Sequence, residues 1–273
     1  MKRAWAPLAV NLALAAGALL TLTPLLWMVS ASLMPAGEAN RFPPPLLPAR
    51  PTFEHYADLF TRLDLGRNFL NSLFVATLTT VISVLLNAMA GYAFAKLRFR
   101  GRDAIFQTLL GALVIPTQVG MLPLFLLLEK MGLVNTMAGV MIPYLCSVFG
   151  IFMVRQYALS IPDDLLDAAR IDGASERRIF WSVVLPVIRP ILAVQAAFNF
   201  LGTWNDFLWP LIVLSDEKRF TLPVAMASLI GEHVQDTELM MAGAVITVLP
   251  VIVLFLALQR FYVEGITMGS TKG

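Results

Sequence analysis

Six long stretches of this sequence are free of charged residues or nearly so, and each is long enough to cross a lipid bilayer. A membrane-spanning helix needs about 20 predominantly apolar residues. Only Arg189 and Asp206 interrupt one of the stretches. The stretches are residues 4–37, 68–95, 104–128, 131–154, 186–214 and 239–259. Because backbone groups inside a bilayer must be satisfied within the protein, this pattern predicts an all-α integral membrane protein with six transmembrane helices.

Composition supports a membrane setting and disfavours several other classes of protein. Of the 273 residues, 58% are hydrophobic and 14% are charged, and the mean hydropathy is +0.75. Soluble domains are typically about 45–50% apolar and about 25% charged. A soluble enzyme, a disordered chain and a secreted disulfide scaffold are therefore disfavoured. The net charge is only +2 and the basic residues are dispersed, so no nucleic-acid partner is indicated.

The distribution of Lys and Arg predicts the orientation of the helices, because the cytoplasmic flanks of spanning helices carry an excess of these residues. With the N-terminus inside, 13 of the 20 Lys and Arg residues fall on the cytoplasmic side. The short loop 96–103 alone contains four of them. We therefore expect a multi-pass protein with both termini cytoplasmic.

The predicted organisation has three parts. Residues 1–66 contain the first transmembrane helix and an outer loop, in which prolines force extended structure and residues 53–65 have the apolar spacing of a short surface helix. Residues 67–262 form a core of five transmembrane helices, and residues 263–273 form a cytoplasmic tail. We expect the first helix to be an uncleaved anchor, since its apolar run exceeds the length of a signal-peptide core.

The largest predicted cytoplasmic loop, residues 155–185, contains the signals of one short helix. Ser160 is a candidate N-cap, Pro162 is placed in the first turn, and Gly173 is placed to end the helix in a left-handed conformation. Five residues form a predicted apolar face: Leu165, Leu166, Ala168, Ala169 and Ile171. These features suit either a helix that docks on a partner or one that lies on the inner membrane surface.

The same loop carries a motif in three parts: Asp167-Ala168-Ala169, then Gly173, then Val183-Val184-Leu185-Pro186. This motif resembles the EAA loop of permeases in binding-protein-dependent ABC importers, with Asp167 where Glu is usual. In that family the loop contains a coupling helix that fits a cleft on a cytoplasmic ATPase. The resemblance therefore assigns the ATPase contact to Asp167, Ala168, Ala169, Asp172, Gly173, Leu185 and Pro186.

Four further blocks extend the resemblance over most of the chain: Asn71-Ser72-Leu73 and residues 90–95, 204–211 and 259–265. They are similar to the carbohydrate-uptake branch of these permeases, of the maltose-permease type. The resemblance implies a type I ABC importer permease fold with a cytoplasmic coupling helix, in the cytoplasmic (inner) membrane of a prokaryote. It implies inward movement of a sugar or related polyol. Besides membrane lipid, the implied partners are a second permease in a heterodimer, a cytoplasmic ATPase dimer and an extracytoplasmic solute-binding protein.

The sequence shows no chemistry of its own. It has no G-x-x-x-x-G-K-[ST] phosphate-binding motif, so ATP and Mg are expected to be used by the partner ATPase. Neither His55 nor His233 has a second ligand at metal spacing. We therefore expect a chain that is not an enzyme, has no catalytic residues and no metal site, and binds no cofactor.

Polar residues in the fifth apolar stretch are candidates for a translocation path. Gln195, Asn199, Thr203 and Asp206 recur at helical spacing and share one face, and Asn87 is a weaker candidate in the second stretch. These groups either line a route for hydroxyl-rich solutes or form hydrogen bonds between helices. Asp206 also fits a different role, as an anchor at the outer membrane interface together with Trp204 and Trp209.

Two further interpretations remain open from the residues alone. The first is an ion-coupled secondary transporter of a small polar solute, which requires a coupling acid deep in the bundle. Only Asp206 is available for that role, and it is predicted to lie toward the outer end. The second concerns the predicted outer loop, residues 215–238. Its charged start and the apolar run 222–230 suit contact with the solute-binding protein, or a cap over the outer end of the bundle.

Overall fold

Helices make up every regular element of this computed structural model, which describes residues 5–232 and 236–270. The all-α prediction is confirmed over those residues. In chain order the α-helices are α1 (Trp5–Ala31), α2 (Glu54–Thr61), α3 (Leu65–Lys96), α4 (Arg102–Ala112), α5 (Met121–Lys130), α6 (Met137–Met141), α7 (Val148–Ala158), α8 (Asp163–Ile171), α9 (Glu176–Ile179), α10 (Leu185–Val187), α11 (Arg189–Trp204), α12 (Leu208–Val213), α13 (Leu222–Glu232) and α14 (Thr237–Ser270).

Three segments are long and apolar enough to cross a membrane unaided, namely Leu8–Ala31, Leu65–Lys96 and Thr237–Gln259. Three bent pairs pass the same test only when their halves are joined, so the described residues hold six spans if each pair crosses once. The pairs are Arg102–Ala112 with Thr117–Lys130 at 96°, Met137–Tyr144 with Val148–Ala158 at 42°, and Glu176–Val187 with Arg189–Trp204 at 79°.

The fifth apolar stretch, predicted over residues 186–214, does not form one continuous helix. α11 ends at Trp204, where the Asn205 side chain donates a hydrogen bond back to Leu201 O at 2.9 Å. α12 starts afresh at Leu208, and Asp206 Oδ1 accepts from Trp209 N at 3.4 Å. The short polar side chains of Asn205 and Asp206 thus satisfy backbone groups that a continuous helix would satisfy internally.

The chain divides into two compact units, Arg67–Val224 with Val251–Gly273, and Met1–Gly66 with Ala225–Pro250. The first unit contains the predicted coupling loop and every predicted path residue. The three-part division predicted from the sequence stays a prediction. In the second unit, α2 lies inside the predicted surface helix 53–65 and confirms that a helix forms there.

His55 is a buried structural residue of this second unit. Its Nε2 lies 2.9 Å from Met34 O, and its Nδ1 lies 3.9 Å from the carboxylate of Asp236. No cluster of three or more metal-ligating side chains occurs among the residues that the structure describes. His233, the other histidine considered, lies outside them.

The loop after α12 is held by the first turns of α3. Asn68 and Asn71 each donate to Phe220 O, at 3.1 and 3.0 Å, and Ser72 Oγ accepts from Leu222 N at 2.7 Å. Leu222 and Val224 are fully buried, so the start of the apolar run 222–230 is not exposed to a partner. The exposed part of this loop is its charged start, around Lys218.

Candidate coupling loop and transport cavity

The predicted coupling helix is α8, and it begins three residues after the predicted N-cap. Ser160 Oγ donates to Tyr157 O at 2.7 Å and so belongs to the end of α7. Pro162 is itself the N-cap residue, with an extended ψ of 133°. The prediction for Ser160 was therefore wrong. The reason is that a proline disfavours helical backbone in the residue before it, so the helix starts after Pro162.

The end of α8 follows the prediction. Gly173 has a φ of +80°, which is left-handed. Gly173 N donates to Arg170 O and Ala174 N donates to Ala169 O, both at 3.0 Å. This pair of bonds is the Schellman arrangement, in which a glycine satisfies the last carbonyls and turns the chain sharply. The turn leads into α9, where Ser175 Oγ accepts from Arg178 N.

Arg170 ties the two sides of this turn together. Its Nη1 donates to Asp167 Oδ1 at 2.6 Å, and its Nε donates to Glu176 Oε1 at 2.7 Å. The other oxygen of Glu176 accepts from the Tyr92 hydroxyl of α3 at 2.8 Å. The two carboxylates, Glu176 first, raise the pKa of Arg170 above its ordinary value. Asp167, the residue that departs from the usual motif, thus holds Arg170 within its own loop.

A second tie connects the end of α3 to the start of α8. The Lys96 ammonium donates to Ile161 O at 2.6 Å and to Asp163 Oδ1 at 2.7 Å. Hydrogen bonding to Lys96 is the main cause that lowers the pKa of Asp163. No role was predicted for Lys96 or Tyr92, because their partners Asp163 and Glu176 are 67 and 84 residues away in sequence and leave no local pattern. The pair of Asp167 and Arg170 has helical i,i+3 spacing and was missed although its signal is local.

The apolar residues of α8 divide between two faces, so the prediction of one apolar face was wrong. Leu166 is 1% exposed and packs in a cluster with Tyr92 and Val154, and Ala169 is half-buried against it. Leu165 and Ile171 are 45% and 86% exposed. At 100° per residue, Ala168 and Ile171 lie roughly opposite Leu166, about 160° and 140° from it, and Leu165 lies about 100° from it. We call Leu165, Ala168 and Ile171 the outer face of α8. Asp172, beside this face, is also exposed. Two other residues of the predicted ATPase contact, Leu185 and Pro186, are half-buried.

A cavity of about 570 Å³ lies at the breaks of two bent pairs and at the gap between α11 and α12. Its wall includes Leu113 and Ile115 from the break after α4, and Cys146 and Ser147 from the break before α7. Asp206, from the break after α11, completes this set. Non-helical backbone at membrane depth is tolerated only where it is buried in protein or lines a water-filled space. The wall is mixed, with mostly apolar residues and a smaller set of polar side chains close to the breaks.

Three of the five predicted path residues line this cavity: Asn199, Thr203 and Asp206. The other two, Gln195 and Asn87, are almost fully buried and are not part of its wall. Tyr144, which the sequence analysis did not single out, also lines it and donates to Asp206 Oδ2 at 2.8 Å.

The alternative role of Asp206 in an aromatic anchor at the membrane interface is wrong. Trp204 and Trp209 are both buried within the protein, at 0% and 1% exposure. Trp209 Nε1 donates to Gly139 O at 3.2 Å, and the Trp204 ring stacks on Phe200. Indole rings that serve an interface need contact with lipid headgroups, which burial excludes.

Comparison with known proteins identifies the family. The family model described as "binding-protein-dependent transport system inner membrane component" matches residues 83–267, which include the coupling loop and the predicted path residues. The chain belongs to this family. It is therefore an inner membrane component. The alternative of an ion-coupled secondary transporter, with Asp206 as its coupling acid, is not favoured.

Individual relatives of this permease agree over nearly its whole length. It is 39% identical over 259 residues to the arabinooligosaccharides transport system permease protein AraQ of Halalkalibacterium halodurans, covering 94% of this chain and 93% of the relative. It is 34% identical over 257 residues to the diacetylchitobiose uptake system permease protein NgcG of Streptomyces coelicolor, covering 93% and 85%.

A solved structure shows the same fold. A chain from a bacterial ABC transporter involved in the import of the acidic polysaccharide alginate superposes with a TM-score of 0.83 at 25% identity, covering 94% of this permease and 96% of that chain. The expected ABC importer permease fold is thus confirmed. Because members of this family are permease subunits and the ATPase is a separate subunit, the permease is not itself an enzyme.

Proposed function

We propose that this permease moves a carbohydrate, either an oligosaccharide or a related polyol, inward across the cytoplasmic membrane. The observation that carries the proposal is the cavity at the helix breaks. Its wall offers an amide, a hydroxyl and a carboxylate from Asn199, Thr203 and Asp206. It also offers the aromatic rings of Tyr144 and Trp209.

This lining suits the chemistry of a sugar. A sugar that leaves water must have its hydroxyl groups hydrogen-bonded elsewhere, since unpaired polar groups in an apolar setting are costly. The polar side chains of the cavity supply those bonds, and its rings supply apolar contact area. Its volume of about 570 Å³ is within the usual range of ligand sites, roughly 300–1,000 Å³. The named substrates of the relatives, arabinooligosaccharides and diacetylchitobiose, support the same class.

The outer face of α8 is the proposed docking site of a cytoplasmic ATPase dimer, which uses ATP and Mg. The helix is fixed from behind by Lys96 and Arg170, while Leu165, Ala168 and Ile171 remain exposed. In this proposal Asp167 and Gly173 shape the helix and its turn. Ala169 and Asp172 lie beside the surface that contacts the ATPase. The half-buried Leu185 and Pro186 transmit force from this surface toward α11. Both termini are cytoplasmic in this orientation.

The remaining proposed partners complete the pathway. A second permease forms a heterodimer with this chain, a solute-binding protein delivers the sugar from outside, and lipid covers exposed apolar side chains such as Val114 and Leu122. The exposed loop around Lys218 is the proposed contact for the binding protein.

The single cysteine provides a direct test of the cavity. Cys146 is exposed, lines the cavity and is the only cysteine of the chain. In the reconstituted importer, we expect a transported sugar to slow maleimide alkylation of Cys146. The probes are an arabino-oligosaccharide, diacetylchitobiose and an alginate oligosaccharide, with glycine as the non-sugar control. A Leu47→Cys, Cys146→Ser protein, labelled at an exposed residue outside the cavity wall, should react at the same rate with or without sugar. Alkylation that no sugar slows, in an importer that transports one of them, would refute the proposed route.

A further inference from the structure

A buried layer of residues lies one to two helical turns beyond the cavity wall on three helices. The wall residues on these helices are Thr79 on α3, Ser147 at the start of α7 and Asn199 on α11. The buried residues beyond them are Ser83 and Asn87 on α3, Gly150 on α7 and Gln195 on α11. On each helix this step leads toward the coupling loop, since α3 and α7 end next to it and α11 begins after it. We call Ser83, Asn87, Gly150 and Gln195 the amide layer.

Hydrogen bonds join most of this layer to the cavity wall. Ser83 Oγ accepts from Asn87 Nδ2 at 3.1 Å and from Asn199 Nδ2 at 3.0 Å. Asn87 Oδ1 accepts from Ser147 N at 3.0 Å, at the break before α7. The layer is therefore coupled to the same helix breaks that form the cavity.

Gly150 is the point where the three helices meet. A Cβ atom at this position would lie 2.3 Å from Gln195 Nε2 and 2.5 Å from Asn87 Nδ2. Both distances are far inside van der Waals contact, so a side-chain carbon at this position would displace the two amide groups from α7. Between α3 and α7 a second glycine allows equally close packing, because a Cβ on Gly91 would lie 2.6 Å from the side chain of Val154.

Gln195 differs from the rest of the layer because its amide is unpaired. The residue is 1% exposed, and neither Nε2 nor Oε1 has a hydrogen-bond partner. A buried amide without partners is unfavourable and is normally avoided. Beyond the layer lies an apolar cluster that includes Ala88, Val154 and Ile188, which offers no polar partner in the direction of the coupling loop.

We propose that the amide layer is a closed gate between the cavity and the coupling-loop end, and that Gln195 is a second solute-binding group. In this proposal α11 separates from the packed pair α3 and α7 at Gly150, and the freed Gln195 amide takes over hydrogen bonds to sugar hydroxyls as the solute leaves the cavity. The inference rests on the proposed function, since it assumes that solute enters the cavity.

The test uses Gln195→Met in the fully assembled, reconstituted importer. We expect uptake of the sugar that protects Cys146 to fall at least tenfold, with unchanged protection of Cys146 and unchanged ATPase binding. We expect the thermal unfolding temperature to stay equal or rise, because the substitution removes an unpaired buried amide. Normal uptake would overturn the gate. So would reduced uptake with a lower unfolding temperature, which would show that Gln195 holds the helices together.

A second variant addresses closure directly. Gly150→Ala should prevent the layer from closing and so allow sugar to leak into vesicles without ATP, whereas Gly111→Ala, with open space around its added Cβ, should not. A Gly150→Ala importer that folds and is as tight as the wild type would contradict the gate. If no sugar protects Cys146 in the wild type, the proposed route itself fails. If protection is normal and both variants behave as wild type, only the gate fails.

Discussion

Lys96 reaches across from the last turn of α3 to Asp163 in the first turn of α8, with 2.7 Å between the ammonium and the carboxylate. The lysine side chain is only 6% exposed, whereas that of Asp163 is 76% exposed. Lys96 also donates to the carbonyl of Ile161. The stabilising part of this contact is therefore the hydrogen bond from the buried Lys96 to the Ile161 carbonyl, rather than the exposed ion pair with Asp163.

The two partners should respond differently to substitution. Lys96→Met leaves a carbonyl and a carboxylate without their donor, so we expect a loss of about 1–3 kcal/mol in the free energy of unfolding, together with weaker ATPase binding. Asp163→Asn should change stability little, since an exposed ion pair is screened by water. Thermal unfolding in detergent of both variants checks this. An equal loss of stability in the two variants would contradict the conclusion that Lys96 contributes more than Asp163.

The same pair has a defined pH dependence. Lys96 lowers the folded-state pKa of Asp163, so the pair stabilises the loop above the ordinary aspartate pKa. That contribution is lost only as the pH falls through the lowered value. We therefore expect Asp163→Asn to leave the stability profile unchanged between pH 6 and 8 and to alter it only in acid.

Gly173→Val should disrupt the turn that ends α8. A β-carbon in the left-handed region costs about 1–2 kcal/mol, and the valine side chain adds bulk beside Asp172. We expect weaker co-purification with the ATPase and lower uptake, with the spans still inserted. Gly17→Val is the matched control, because Gly17 in α1 has no neighbouring atom within 4 Å of an added Cβ. Wild-type ATPase yield and uptake for Gly173→Val would refute the prediction.

Ile171→Asp tests the outer face of α8 without touching the interior. Because Ile171 is 86% exposed, the unfolding temperature should not change. If the face is covered by the ATPase, burying the new charge should weaken binding by at least about tenfold. Leu47→Asp, a substitution of a leucine that is 77% exposed in the predicted outer loop, should leave ATPase binding intact. The measurement is the ATPase affinity of the purified variants.

Asn199→Leu separates a cavity role from a purely structural one. It removes a polar group from the wall and one hydrogen bond to Ser83, which typically contributes about 0.6 kcal/mol in a membrane protein. We expect uptake to fall roughly tenfold, with only a small loss of stability. Asn11→Leu is the control, since Asn11 is an exposed residue of α1 and is not in the wall. Normal uptake by Asn199→Leu would exclude an essential path role.

The predicted orientation can be measured with single cysteines in the Cys146→Ser protein. Lys218→Cys should react with a membrane-impermeant maleimide in intact cells and crosslink to the solute-binding protein during transport. Ile171→Cys should react only after the membrane is permeabilised. The reverse pattern of labelling would invert the predicted topology.

Local features of this chain could be predicted because their causes are local. The apolar runs predict membrane helices through the length of a bilayer, and Gly173 ends α8 because only glycine adopts its conformation readily. The errors arose where a distant contact decides the outcome. The two faces of α8 are equally apolar by sequence, and only packing against Tyr92 and Val154 determines that Leu166 is buried while Leu165 is exposed.

By itself, the sequence determined the membrane setting, the helical class and the glycine that ends α8, since hydrophobic length and backbone chemistry act over a few residues. It did not distinguish Asn199 from Gln195, which share a helical face four residues apart. Only the tertiary structure made the first a cavity residue and the second a buried, unpaired amide against Gly150. The physical reason is that spanning helices are apolar on most sides, so the position of a polar group depends on which helices break and where their neighbours pack.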